Sequence, residues 1–94
     1  DCLPRTIAHQ AIPRYRGSWN GDVWKSIVEL RTKSDLEVFT CEIDFGVGIV
    51  RKKNNNNPLK LNITDFKKLK FRDYYYKNRE FMNIKTYNQI LDII

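Results

Sequence analysis

Cysteine and histidine are scarce in this sequence of 94 residues, which has two cysteines and one histidine. Cys2 and Cys41 lack C-x-x-C spacing and are too few for a disulfide framework. Because His9 has no second histidine or Cys/His cluster at ligand spacing, a structural zinc site is excluded. Cys41 falls where we predict a buried strand. Two reduced thiols in the cytoplasm are therefore favoured over a single disulfide, which stays open as an alternative.

Long apolar runs are also absent. No run approaches the roughly 18 residues that a membrane-crossing helix needs, and no signal-peptide pattern opens the sequence. This predicts a soluble chain without a membrane span. The length fits one small domain or a piece of a larger one, and from the start at Asp1 rather than at methionine we expect processing, truncation or excision.

Negative charge is in the minority. Eleven Asp and Glu residues stand against 17 Lys and Arg residues, which gives a net charge of +6 and a pI of about 9.5. Such a surplus permits binding to nucleic acid or another polyanion but does not require it. A solvated basic surface is the favoured interpretation of the composition.

Two stretches combine cations with groups that contact nucleic acids. The basic run at 51–53 is followed by four asparagines, and we interpret it as a solvated loop rather than a phosphate site. Tyr74, Tyr75 and Tyr76 stand among lysines and arginines. Because consecutive residues of a helix point in different directions, at most two of these rings could stack on bases together. The alternative function that follows is a basic nucleic-acid- or protein-binding module, without catalysis, acting through residues 51–79.

A helix is predicted at 20–33. Asn20 is a good N-cap, and Asp22 places a carboxylate in the first turn, at the positive end of the helix dipole. Val23, Ile27 and Leu30 recur at helical spacing and give the segment one apolar face.

Residues 36–51 predict two antiparallel strands joined by a bend. The bend is Asp44-Phe45-Gly46, and Gly46 and Gly48 have a spacing that also occurs in loops that bind phosphate. Such a loop must open a helix, whereas the sequence after Gly48 continues as a strand. A hairpin is therefore favoured.

The remaining sequence divides into two loops and a helical end. Residues 1–19 and 52–62 lack periodicity, and we predict loops there. Across 63–94, apolar residues recur at helical spacing, and Asn83 is expected to cap a last helix. The apolar stripe of that helix is Ile84, Tyr87, Ile90, Leu91 and Ile94. As an isolated chain, this order of loop, helix, strand pair and two C-terminal helices predicts an α+β fold.

Few side chains in this sequence could carry chemistry. His9 lies in the first loop, and a lone imidazole titrates near neutral pH, so a general base is weighed against a plain surface histidine, which is favoured. Trp19 can staple the entry to the first helix. Asp22 and Trp24 are explained equally well as a first-turn carboxylate and a core aromatic.

One further pattern consists of four pieces, which are Asp1-Cys2-Leu3-Pro4, Gly17-Ser18-Trp19-Asn20-Gly21-Asp22-Val23-Trp24-Lys25, Asp44-Phe45-Gly46-Val47-Gly48-Ile49-Val50-Arg51 and Tyr74-Tyr75-Tyr76-Lys77-Asn78-Arg79-Glu80. In this order they resemble the C-terminal half of small bacterial class I S-adenosylmethionine-dependent methyltransferases. The resemblance runs nearly from end to end of the chain. Its most specific part is the Gly-Asp-Val-Trp-Lys segment.

The resemblance implies that the chain is the C-terminal portion of an α/β, Rossmann-like fold. Residues 1–4 would leave the carboxyl end of a sheet strand, where such folds bind their ligands, and the strand pair would be the last two strands. The resemblance also implies roles for five side chains. Asp1 and His9 would remove a proton from the methyl acceptor or contact it, and the substrate-binding wall would contain Trp19, Asp22 and Trp24.

In such enzymes the glycine-rich loop and the acid that hold S-adenosylmethionine lie upstream of the portion present here. We therefore expect no methyl transfer from the 94-residue chain alone. The implied acceptor is a small molecule such as a sugar or a cell-surface precursor. A divalent cation at Asp1 stays open, as does a homodimer formed through an uncovered sheet edge.

Overall fold

The computed structural model describes residues 1–12 and 20–94. Residues 13–19 lie outside the described part, and with them Trp19. Over the described residues the chain is a small mixed α/β domain with three α-helices and a three-stranded sheet. The helices are α1 (Trp24–Arg31), α2 (Phe71–Met82) and α3 (Tyr87–Ile93), the strands are β1 (Leu36–Cys41), β2 (Val47–Lys52) and β3 (Ile84–Lys85), and two 3-10 helices occupy Ile7–Gln10 and Phe66–Lys68.

The sheet has the order β2-β1-β3. β1 and β2 pair antiparallel, from Leu36 opposite Lys52 to Cys41 opposite Val47, so the predicted strand pair is confirmed. β3 lies on the other side of β1 and runs parallel to it. The sequence analysis missed β3 because a strand of two residues is too short to show an alternating pattern.

The two faces of β1 pack against different helices, because successive strand residues point to opposite faces. Val38 belongs to the larger core, which includes Trp24 and Val28 of α1 and Met82 of α2. On the opposite face a smaller cluster holds Phe39 and Cys41 together with Ile90 of α3. Cys2 lies in the larger core, and both thiols are buried and free.

The first helix is shorter than the predicted span of 20–33. It begins at Trp24 and ends at Arg31, and Val23 is its N-cap, without a side-chain hydrogen bond. The prediction that Asn20 caps this helix is wrong. Asn20 is buried, and its polar groups bind the N-terminal segment of the chain instead. Because Asp1 and His9 lie close to Asn20 in the fold, the Asn20 side-chain amide binds the Asp1 carbonyl and does not cap the helix.

Asn83 does not begin the last helix, and this prediction is also wrong. It ends α2 in the left-handed region, with φ of 47°, and its side-chain amide donates to the Val38 carbonyl at 3.0 Å. Asparagine suits both a helix start and a left-handed helix end, so its identity did not decide between them. Thr86 caps α3, with Gln89 completing a capping box.

The apolar stripe predicted for the last helix is mostly exposed. Ile84 lies in β3, and only Ile90 of the stripe is buried. The predicted first loop, residues 1–19, contains the 3-10 helix Ile7–Gln10 in its described part.

Candidate functional site

The first three residues lie against the turn between β1 and β2. The Leu3 amide donates to the Phe45 carbonyl at 2.7 Å, the Cys2 amide donates to the Gly46 carbonyl at 3.1 Å, and the terminal ammonium of Asp1 donates to the same carbonyl at 2.7 Å. Gly46 has φ of +92°, and a Cβ there would lie 2.5 Å from Leu3 Cγ. The close approach of the two segments therefore requires glycine at this position.

Residues just before α1 also bind the N-terminal segment. The Asn20 side-chain amide donates to the Asp1 carbonyl at 3.3 Å. The backbone amides of Asn20 and Gly21 both donate to the His9 carbonyl, at 2.6 and 3.1 Å. Asn20 thus binds both Asp1 and His9, the two predicted catalytic residues, and Gly21 adds a second bond to His9.

The His9 ring is half-buried beside the hairpin turn. It meets the Phe45 ring edge-on, with 6.1 Å between centroids, and the Arg5 guanidinium lies 5.2 Å from the centroid of the same ring. Nδ1 of His9 is buried and has no hydrogen-bond partner in the described part of the chain. One ring nitrogen of a neutral imidazole is a hydrogen-bond acceptor, and burial of Nδ1 keeps this atom out of contact with solvent.

The predicted substrate-binding residues have different environments. Asp22 Oδ2 lies 4.0 Å from Lys25 Nζ in a partly exposed ion pair. Trp24 is completely buried, its Nε1 donates to Gln10 Oε1 at 3.4 Å, and its ring packs on Tyr74 with 5.1 Å between centroids. Trp24 therefore offers no surface to a ligand and supports Tyr74 from behind.

A cavity of about 410 Å³ opens beside these residues, at the carboxyl end of β1. Glu42 directly follows β1, and Asp44 lies in the hairpin turn with φ of 52°. Among the described residues, its lining is Leu3, Pro4, Arg5, Glu42, Asp44, Tyr74, Tyr75, Asn78 and Ile84.

None of the four described residues predicted for the site, which are Asp1, His9, Asp22 and Trp24, lines this cavity, and Trp19 lies outside the described residues. Glu42 and Asp44 could have been found from the sequence, because ligands of α/β sheets bind beyond the carboxyl ends of strands. Arg5 gave no such signal, since its place depends on how the N-terminal segment folds back.

Tyr74 forms the buried wall of the cavity. Its hydroxyl donates to the Pro4 carbonyl at 2.9 Å. Burial raises the pKa of Tyr74 to about 12, with a smaller contribution from the neighbouring Cys2 thiol. The phenol therefore stays protonated near neutral pH and acts as a hydrogen-bond donor.

Within residues 1–12 and 20–94, no group of three or more His, Cys, Asp or Glu side chains is placed to hold a metal ion. No helix in this described part is long and apolar enough to span a bilayer. In comparisons with family models, curated proteins and solved structures, nothing matches the chain.

Proposed function

We propose that this chain is the acceptor-side part of an S-adenosylmethionine-dependent methyltransferase-like protein. The proposal starts from the resemblance in sequence. It is supported by the contacts between the pieces that carry the resemblance, which lie far apart in the chain. Residues 1–3 bind the hairpin turn of the third piece, Asn20 of the second piece binds Asp1, and Tyr74 of the fourth piece binds Pro4.

The strongest support for the proposal is the direction in which the N-terminal segment runs beside β2. The amides of Thr40 in β1 and of Glu42, which directly follows β1, donate to the Asn83 and Lys85 carbonyls, so both amides face β3. Phe39 and Cys41 alternate with them and face β2.

The same alternation applies on β2. Ile49 pairs with Phe39 and faces β1, so the backbone groups of Gly48 and Val50 point to the outer edge of the sheet.

The Gly46 carbonyl, which also points to this edge, accepts from Cys2, and the Phe45 carbonyl accepts from Leu3. As residue numbers rise from 2 to 3, the partner numbers fall from 46 to 45, which is an antiparallel alignment. Residues preceding Asp1 in a longer gene product would continue along the outer edge of β2 towards Val50. We infer that a strand of the cofactor-binding part pairs there, parallel to β1.

The cavity at the carboxyl end of β1 is the proposed acceptor site. Arg5, Glu42 and Asp44 give it charges of both signs, and Tyr75 and Asn78 add an aromatic ring and an amide. Such a lining suits a small polar acceptor such as a sugar. The contribution of this cavity to catalysis would be chiefly the positioning of the acceptor.

The described residues do not fit S-adenosylmethionine by themselves. A glycine-rich loop that binds a nucleotide opens a helix, whereas Gly46 and Gly48 lead into β2. The cofactor would therefore be held by the other part of the protein.

Binding of S-adenosylhomocysteine, measured by titration calorimetry, tests this proposal. We expect the 94-residue chain to give no binding heat and the intact gene product, with the residues that precede Asp1, to bind. An intact product that neither binds S-adenosylhomocysteine nor transfers methyl groups would contradict the proposal.

The roles of Asp1 and His9 are tested separately, in the intact gene product. If either residue acts in proton removal, its replacement by alanine should lower kcat by roughly a hundredfold or more. Asp35→Ala, in an exposed turn, is the matched control and should leave turnover unchanged. Unchanged turnover in both test variants would remove these two roles.

A further inference from the structure

The positive charge of the chain is concentrated in one short segment. Residues 66–79 contain six cations and one carboxylate, a net charge of +5 against +6 for the whole chain. All six cations are exposed, and they are Lys67, Lys68, Lys70, Arg72, Lys77 and Arg79. The one carboxylate, Asp73, accepts a hydrogen bond from the Lys70 amide at the start of α2.

The outward side of α2 combines these cations with two aromatic rings. Arg72, Tyr75 and Tyr76 are spaced at i, i+3 and i+4, which places them on one side of a helix, and Arg79 follows the non-helical residue Lys77. Tyr75 is 57% exposed and Tyr76 is 77% exposed, whereas Tyr74 faces the core. We call these four residues the α2 stripe.

The two rings of the α2 stripe border cavities. Their centroids are 5.2 Å apart and the rings are nearly perpendicular. Tyr75 and Asn78 line both the acceptor cavity and a second cavity of about 360 Å³, and Tyr76 lines the second cavity. Non-helical dihedral angles at Lys77 kink the helix within the second cavity, which Arg79 also lines.

We propose that the α2 stripe binds single-stranded nucleic acid. Its cations can neutralise backbone phosphates, and its exposed rings can stack on unpaired bases, which is the combination that proteins use for single strands. A duplex hides its bases within the stack and would leave both rings unused. Glu42 and Asp44 repel phosphates from the far wall of the acceptor cavity, so the strand would run from the second cavity towards Lys70.

The inference does not depend on the proposed methyltransferase function. It shares Tyr75 with the acceptor cavity, but its test requires neither S-adenosylmethionine nor residues upstream of Asp1. Failure of one proposal therefore leaves the other standing.

Fluorescence anisotropy of a labelled oligouridylate, titrated with the 94-residue chain at several salt concentrations, tests the inference. We expect Tyr75→Ala combined with Tyr76→Ala to weaken binding by roughly tenfold or more, because stacking on an aromatic ring contributes about that factor for each base. Tyr87→Ala is the matched control, since Tyr87 is 56% exposed on α3, and it should bind as the wild type does.

A second variant, Arg72→Ala combined with Arg79→Ala, tests the phosphate contacts. The slope of log affinity against log salt should become shallower by about 1.4, since each phosphate contact on a single strand contributes about 0.7. A duplex of matched length should compete poorly for the labelled strand.

Three outcomes would overturn the inference. One is the absence of binding at low salt. Another is equal affinity of the tyrosine variant and the wild type, which would reduce the surface to a non-specific cationic patch. The third is that heparin competes as well as oligouridylate does and that the tyrosine variant loses the same affinity for both. Heparin has no bases to stack, so this result would mean that the tyrosines do not act by stacking.

Discussion

The hydroxyl of Tyr74 donates a buried hydrogen bond of 2.9 Å to the carbonyl oxygen of Pro4, across 70 residues of sequence. The bond joins α2 to the N-terminal segment at the wall of the acceptor cavity. Because Trp24 packs on the same tyrosine ring, the first helix is also held at this point. The cavity therefore depends on a contact between the two ends of the chain.

The first prediction is that Tyr74→Phe lowers the free energy of unfolding by about 1–3 kcal/mol, because it leaves the carbonyl of the buried Pro4 without a partner. Urea denaturation followed by circular dichroism measures the change. Tyr76→Phe is the control, since its hydroxyl is exposed, and it should stay within about 0.5 kcal/mol of the wild type. Equal stability of the two variants would contradict the assigned role of the bond.

The second prediction concerns alkaline pH. Burial raises the pKa of Tyr74 from 10.0 to about 12, so between these values the folded chain binds more protons than the unfolded chain. Stability from this group is therefore complete below pH 10 and is lost as pH rises towards about 12. Urea midpoints should fall over this interval, and the fall should be smaller in Tyr74→Phe. A variant with the same alkaline profile as the wild type would count against this assignment.

The third prediction compares two glycines of the hairpin. Gly46→Ala should destabilise the fold by about 2 kcal/mol or more, because alanine is strained at positive φ and its Cβ would meet the Leu3 backbone as well as its side chain. Gly48→Ala should cost less, about 1 kcal/mol, since the added Cβ meets mainly the movable end of Ile27 at 2.8 Å. Thermal unfolding measures both variants, and the reverse order would refute this account of the turn.

The fourth prediction concerns amide hydrogen exchange on β2. In the 94-residue chain the amides of Ile49 and Arg51 should exchange slowly because they bind β1, whereas those of Gly48 and Val50 should exchange quickly at the open edge. In the intact gene product Gly48 and Val50 should become protected if the upstream part pairs with this edge. Slow exchange at Gly48 and Val50 in the short chain would show that the assigned alternation is incorrect.

The strongest local patterns were predicted well from sequence. The alternation through 36–51 identified an antiparallel hairpin because hydrophobic periodicity and glycine placement depend on neighbouring residues alone. The apolar spacing of Val23, Ile27 and Leu30 indicated the first helix for the same reason. Its start was misplaced, since Asn20 satisfies distant carbonyls rather than the helix amides next to it.

The candidate site was much less accessible to prediction. Asp1 and His9 were proposed by resemblance, and their common anchoring by Asn20 emerged only from the folded chain. Glu42 and Asp44 could have been predicted from the sequence, because they are polar residues that follow a strand. Arg5 and Tyr74 could not, because they reach the cavity through long-range packing.

The sequence by itself determined the periodic elements of this protein, its basic charge and the concentration of that charge at 66–79, because these follow from residue identity and local spacing. Tertiary structure decided the parallel pairing of β3, the left-handed end of α2 at Asn83 and the closure of the N-terminal segment onto the hairpin turn. Those features depend on hydrogen bonds between residues far apart in the chain, and a local pattern holds no information about which distant partner each polar group will find.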